Sequence, residues 1–223
     1  MRRISENYVR SRIPKGFNLD AARRIQLTLS RRVVQRPLGE VDLVAGLDVA
    51  YVGESAYSVA ALYSIGGRRL VEYACSIVRV AFPYVPTLLS FRELKPMVSS
   101  FLRLKTKPHV VLIDGHGVAH PYRLGIAAHF GVTMNVPTIG VAKSLLHGYI
   151  DGPFIRDPDT GDVIGQVVKC PSRQVYVSVG NLVTLEDAVK LVSGLCLRDS
   201  MPEPILMAHQ LANSAKRGLI PCG

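Results

Sequence analysis

Val110-Val111-Leu112-Ile113-Asp114-Gly115-His116-Gly117-Val118-Ala119-His120-Pro121 runs four apolar residues straight into an aspartate, then into a loop of glycines and histidines closed by a proline. An apolar run of that length bounded by turn residues reads as a buried strand. A carboxylate fixed at the end of such a strand is costly to desolvate unless it is paired, hydrogen-bonded or bound to a metal. Asp114 is therefore the first candidate for chemistry, although Asp-Gly is also a common turn former.

Upstream of that stretch, residues 41–51 read as a central strand with Asp48 in its middle, where burial demands an apolar residue. Asp42, at the strand entry, reads as solvated. Gly53-Glu54-Ser55 makes a turn into a second strand over 56–65, and Gly66-Gly67-Arg68 connects it to a third over 70–80. Phe82-Pro83-Tyr84-Val85-Pro86 is stiffened by its two prolines. Thr87 is expected to cap a helix running to about residue 104, weakened or kinked at Pro96.

Downstream, a helix is expected over 121–130, ended by Gly131, followed by a short strand over 137–143. Residues 147–162, rich in Gly, Pro and Asp, read as a surface excursion. Residues 163–169 and 174–179 read as a hairpin, 184–195 as a helix, and a last helix follows Pro202-Glu203-Pro204 to about residue 216. A further helix is expected from residue 18 or 20 to about 34. The sum is an α/β chain: three antiparallel strands, then alternating helices and strands, in a mixed sheet with helices on both faces.

The 223 residues suggest one domain, taken as 17–223, preceded by a basic N-terminal arm at 1–16. A net charge of +10 points to a polyanionic partner. No apolar run is long enough to span a bilayer, and Met1-Arg2-Arg3-Ile4-Ser5-Glu6 lacks the apolar core of a signal peptide. Cys75, Cys170, Cys196 and Cys222 have no zinc-finger spacing and read as reduced thiols of a cytoplasmic protein.

If strands 41–51 and 110–114 are neighbours, Asp48 and Asp114 approach each other, and two such anions repel unless a divalent cation sits between them. Glu93, on the helix after the double-proline loop, supplies a third carboxylate, though alone it reads as a solvated helix residue. Carboxylate oxygens from two strands and a helix suit magnesium-dependent phosphodiester hydrolysis. Lys143, at a strand end, can stabilise developing negative charge or orient water; it can equally be a surface lysine. His116 and His120 stand four apart, as zinc ligands on a helix would. Gly117 and Pro121 make that segment a loop, and the glutamate of a zinc-protease motif is missing.

Five segments in this order resemble the endonuclease V family. They are Gly46-Leu47-Asp48-Val49-Ala50-Tyr51; Pro83-Tyr84-Val85-Pro86 with Phe91-Arg92-Glu93-Leu94; Asp114 to Pro121; Gly140-Val141-Ala142-Lys143-Ser144; and Ala208-His209. The resemblance implies a ribonuclease H-like fold and a DNA repair endonuclease that recognises deoxyinosine and hydrolyses the second phosphodiester bond 3′ to it. It implies Asp48, Asp114 and Glu93 as ligands of Mg2+, with Mn2+ able to substitute, and Lys143 and His209 in the catalytic site. Tyr84, Val85 and Pro86 match the family's wedge, which fills the gap left by the displaced base. Arg92 and His120 carry over as supporting contacts to the strand or site, and a pocket with backbone N–H groups near Gly115 and the start of the 87–104 helix can read the carbonyl that replaces adenine's amine.

The family often has glycine where Thr87 stands, and His116 replaces a residue that is glutamine in some members, so it receives no role. The expected partner is DNA containing deoxyinosine, with inosine RNA as an adjacent substrate, acted on by a monomer without a membrane. Two alternatives are another ribonuclease H-like structure-specific nuclease and a basic nucleic-acid-binding protein without catalysis. For a mere binder, three carboxylates beside a polyanion are a liability.

Overall fold

The alternating first half of the chain folds as three antiparallel strands, β1 (Leu43–Val52), β2 (Ser55–Ser64) and β3 (Arg69–Arg79). This computed structural model describes residues 5–222. β4 (Val110–Asp114) joins β1 in parallel, in register from Val44↔Val110 to Leu47↔Ile113, and β5 (Thr138–Ala142) joins β4 in parallel. β6 (Tyr149–Asp151), β7 (Phe154–Arg156), β8 (Val163–Lys169) and β9 (Gln174–Asn181) extend the sheet with antiparallel pairing. The order across the sheet is β3-β2-β1-β4-β5-β9-β8-β7-β6. The mixed α/β sheet expected from the sequence is observed, with an antiparallel extension beyond its parallel centre.

Six helices flank the sheet: α1 (Glu6–Arg10), α2 (Leu19–Ser30), α3 (Leu89–Phe101), α4 (Ile126–Met134), α5 (Leu185–Leu195) and α6 (Glu203–Lys216). Strand side chains alternate between faces, and β1 shows how this divides the core. Ala45 and Leu47 pack with Met97 of α3 and Ile126 and Phe130 of α4. Val44 packs with Val192 of α5 and Ile205 of α6, and Ala50 with Ala208 and Ala212 of α6. Between Val44 and Ala50 on the second face lies Gly46, where a Cβ would stand 2.0 Å from the Pro204 carbonyl oxygen. The missing side chain thus lets α6 lie directly on β1, beside Asp48.

Several local expectations change. The helix expected at 121–130 begins at Ile126 and passes through Gly131 to Met134, capped by Asn135 in a left-handed turn (φ +53°). Gly131 does not end it; a Cβ there would meet Thr138 Oγ1 at 2.0 Å, so glycine permits helix and strand to touch. Thr87 does not cap α3, which starts from Leu88 with no side-chain cap. Pro96 lies inside α3 without ending it, and its carbonyl accepts from Ser76 Oγ at 3.3 Å. The first helix expectation overran, since α2 ends at Ser30. The 147–162 excursion contains the β6–β7 hairpin.

Within the expected N-terminal arm, α1 is a short helix capped by Ser5. Its Val9 is buried with Leu19, Ala22, Val85 and Leu88. Arg2 and Arg3 of that arm lie outside the described residues. The cysteines also depart from expectation. Cys75 bonds Cys222 and Cys170 bonds Cys196, across sequence separations of 147 and 26, and no cysteine is free among the described residues. Pairing across such separations follows from the fold, since sequence spacing does not encode it. No helix of the described residues is long and apolar enough to cross a membrane.

Closing loops of these lengths constrains the unfolded chain by up to about 5 and about 3 kcal/mol on the chain-entropy account. Reduction with a phosphine under native conditions should therefore lower the melting temperature by several degrees. An unchanged melt, or a native mass showing four free thiols, would show that the bridges are absent.

Candidate active site

Parallel pairing of β1 and β4 sets the two aspartates side by side. Asp48 and Asp114 each stand one residue beyond the registered pair Leu47↔Ile113, on the face covered by α6. From that helix His209 Nδ1 meets Asp48 Oδ2 at 2.7 Å. The His209 Nε2 and backbone oxygen lie 3.1 Å and 2.9 Å from Asn213 Nδ2. Lys143, one residue past β5, places Nζ 2.5 Å from Asp114 Oδ2. Glu93 comes from α3 and accepts from Tyr51 Oη at 3.2 Å.

The charges at this edge are unbalanced. Burial, then the Asp48 carboxylate, hold the Glu93 carboxyl up at about 8, against the bond from Tyr51; Asp114 adds to the repulsion. Asp114 is also raised, by burial and by Asp48, with Lys143 opposing. The His209 imidazole is raised by its bond to Asp48, against the effect of burial. Burial and Glu93 push the Tyr51 hydroxyl well above the ordinary range for a phenol. The Asp48 charge acts on both Glu93 and Asp114, so the three carboxylates lie within electrostatic reach of one another.

Among the described residues no three His, Cys, Asp or Glu side chains are gathered tightly enough to hold an ion as they stand. Asp48 and Asp114 each give one oxygen to a basic side chain, His209 or Lys143. Glu93 has no cation bonded to it. Three hard oxygen donors with excess negative charge are nevertheless the chemistry that suits magnesium or manganese.

A cavity of about 700 Å³ leads away from the carboxylates, its wall formed by Lys143, Asp114, Gly115, Thr87, Pro86 and Tyr84. Small-ligand pockets fall in this size range. Ser90 and His116 also line it, and Ser90 Oγ and His116 Nδ1 are buried with no hydrogen-bond partner. Orphaned polar atoms of that kind are rare in folded proteins. His116 Nε2 donates to the Ser144 carbonyl at 2.9 Å, and burial lowers the imidazole to about 4. His116 and His120 are thus neutral, differently bonded side chains with no zinc geometry.

The remaining sequence candidates divide. Tyr84 projects at 62% exposure, whereas Val85 beside it is fully buried. Val85 therefore anchors the projecting tyrosine from below, since its side chain is packed against Leu19 and Leu88. Arg92 stacks over the Tyr51 ring at 4.0 Å and donates to the Phe82 carbonyl, so it ties the double-proline loop to α3. His120 is buried in the cavity wall, with Nε2 donating to the Thr87 carbonyl at 3.2 Å. The sequence reading missed Tyr51 and Asn213. Tyr51 had a local signal, three residues past Asp48 at a strand end; Asn213 had only its one-turn spacing from His209.

The endonuclease V family model matches residues 27–210. Endonuclease V of Thermofilum pendens is 40% identical over 218 residues, spanning 93% of each chain. That of a Roseiflexus species is 36% identical, spanning 91% of this chain and 96% of its own. The crystal structure of Streptomyces avermitilis endonuclease V superposes with a TM-score of 0.82 at 32% identity, covering 92% of this chain and 97% of that one. Ciona intestinalis endonuclease V, in complex with a 24mer DNA containing an inosine followed by a ribo-adenosine, gives 0.83 at 29% identity, covering 91% and 99%. With its fold and most of its length matched in this way, the chain belongs to the endonuclease V family of nucleases.

Proposed function

We propose that this protein is a magnesium-dependent repair endonuclease that recognises deoxyinosine in DNA and cuts the second phosphodiester bond on its 3′ side. The observation that carries the reading is the convergence of Asp48, Glu93 and Asp114, where burial and then the Asp48 charge raise the Glu93 and Asp114 carboxyls. The Ciona relative's inosine-containing DNA supports the substrate. Inosine in RNA is the second reading, because the same cavity can receive the base from either backbone. The protein acts as a monomer in the cytoplasm; its two disulfides do not oppose this if it comes from an organism whose cytoplasmic proteins carry such bridges. Residues 17–223 act as one catalytic domain.

Asp48, Asp114 and Glu93 would hold the ion. When bound, magnesium polarises the scissile phosphate and lowers the pKa of a water nucleophile. Lys143, next to Asp114, places a positive charge where the phosphate gains negative charge. His209, its Nδ1 proton held by Asp48, is oriented by Asn213 and can pass a proton at the site edge. Tyr51 keeps Glu93 turned toward the aspartates. Tyr84 stands exposed on a buried foot, so it can stack in place of a displaced base with little loss of side-chain freedom. The basic surface holds the strand through its phosphates.

Asp114→Asn or Asp48→Ala should reduce nicking of an inosine oligonucleotide by on the order of 10³-fold or more. Binding of the same oligonucleotide should be retained, and mapped product ends give the cut position. Retained nicking in either variant would remove the metal-site assignment. For Tyr84→Ala, duplex cleavage should fall roughly tenfold more than single-strand cleavage, since only a duplex has stacking to replace. Equal losses on both substrates would remove the wedge.

The pH dependence has a defined sign. Glu93 titrates at about 8 when folded, above its ordinary 4.5. The folded state therefore binds the extra proton, and stability falls as pH rises from about 4.5 towards 8. A bound divalent cation favours the ionised form and offsets this loss. Melting curves with EDTA or magnesium should give a stabilisation by metal that grows between pH 5 and 8. A metal-induced shift that does not change with pH would show that Glu93 gives up no proton to the ion.

A further inference from the structure

α2 reaches the wall of the cavity from behind. Thr87 is buried with φ +69°, a left-handed value that strains a β-branched residue. Three bonds hold it there. Arg23 Nη2 donates to Thr87 Oγ1 at 3.0 Å, Gln26 Nε2 donates to the Thr87 carbonyl at 2.7 Å, and His120 Nε2 donates to the same oxygen at 3.2 Å. Each donor is fixed by a second contact. Gln26 Oε1 accepts from Arg23 Nη1 at 2.8 Å, which leaves the amide nitrogen for Thr87. His120 Nδ1 accepts from the Tyr122 N–H at 3.1 Å, which leaves Nε2 as the N–H. A carbonyl oxygen has two lone pairs; both of those on Thr87 are engaged, by Gln26 and His120.

The Arg23 charge is held in place from the other side. Glu6 of α1 receives Arg23 Nη2 at 3.1 Å and Tyr122 Oη at 3.3 Å, and the guanidinium lies 4.1 Å over the Tyr122 ring. The network therefore spans α1, α2, the loop of the projecting tyrosine and the loop after β4.

Its effect falls on what the cavity offers a base. Thr87, Leu89 and Ser90 all line it. The start of α3 presents donors: the helix has no side-chain cap, and the Leu89 and Ser90 N–H groups precede its first internal bond, from Phe91 N–H to the Leu88 carbonyl at 3.0 Å. Ser90 Oγ is orphaned beside them. Adenine carries an exocyclic amine, a donor, where its deaminated product carries an oxo acceptor. The N–H groups at the start of α3 suit the oxo group, whereas the amine finds no free acceptor on the Thr87 carbonyl.

We propose that Arg23 and Gln26 are positioning residues for base selectivity: they hold the Thr87 peptide with its carbonyl oxygen already bonded, so that this acceptor is not offered to an exocyclic amine. This rests on the reading of the site as a nuclease for deaminated adenine. It gives the first two helices a part in recognition, although they lie outside the carboxylate site.

The test compares kcat and KM on single-stranded oligonucleotides identical except for inosine or adenine at one position, with magnesium present. Gln26→Met, close in volume but without the donor, should lower the inosine-to-adenine ratio of kcat/KM about tenfold, mainly through a higher KM for inosine and new cleavage at adenine. Arg23→Met should act in the same direction, and Arg23→Lys, which keeps a donor for Thr87 Oγ1, should recover most of the ratio. Should Gln26→Met fold poorly, Thr87→Gly provides the second measurement: glycine adopts this turn without strain but loses the Arg23 contact, so the ratio should fall there too. Variants that lose melting temperature yet keep the wild-type ratio, or that lose kcat equally on both bases, would overturn the proposal. A wild-type protein that fails to nick the inosine strand would instead overturn the underlying reading, and the proposal with it.

Discussion

Mutual repulsion among three carboxylates at one edge of a sheet is the constraint around which this molecule is arranged. Burial alone would drive Asp114 and Glu93 towards their protonated forms, and the neighbouring Asp48 charge drives them further. The surroundings limit this with one partner each: His209 for Asp48, Lys143 for Asp114 and Tyr51 for Glu93. The partners come from α6, from beyond β5 and from the end of β1, so most of the sheet takes part in making the site tolerable. Folding stability is given up at this edge, and a divalent cation would recover it.

The acidic edge sits in a protein of net charge +10. These opposing signs have separate tasks. Diffuse positive charge attracts a polyanion without regard to sequence and weakens with salt. The local negative cluster would repel the phosphate were it not for a cation between them. On the proposed reading, base selectivity belongs to a third region, the cavity. His116 and His120 in its wall are pushed towards the neutral form by burial and add no charge to it.

Attachment of the recognition loop is correspondingly firm. Tyr84 is exposed, but Val85 next to it is packed among residues of α1 and α2, and Arg92 fastens Phe82 from α3. The left-handed turn at Thr87 then delivers the chain into α3, which carries Glu93 one turn after Ser90. The projecting tyrosine, the cavity wall and Glu93 thus lie within ten residues of one another in sequence.

The parts legible in the sequence were those with a local period or a local contradiction. Apolar runs bounded by turn residues gave β1 to β5, β8 and β9, and Asp48 and Asp114 stood out because each placed a charge where apolar residues surrounded it. Glu93 carried no such contradiction, since an exposed helix position tolerates glutamate; it was singled out only as a third carboxylate to join Asp48 and Asp114, and by the family resemblance. The arrangement of α4 was misjudged because Gly131 was read for its flexibility, when its missing side chain is what lets Thr138 approach. The disulfides, the buried state of Val85 and the conformation of Thr87 were invisible for one reason: each depends on groups far away along the chain. Asp48 and His209 are 161 residues apart, and Arg23 and Thr87 are 64 apart. The order of residues fixes which segments bury which face, through periods of 2 and 3.6; which distant side chains then meet is decided only when the sheet order brings their segments together.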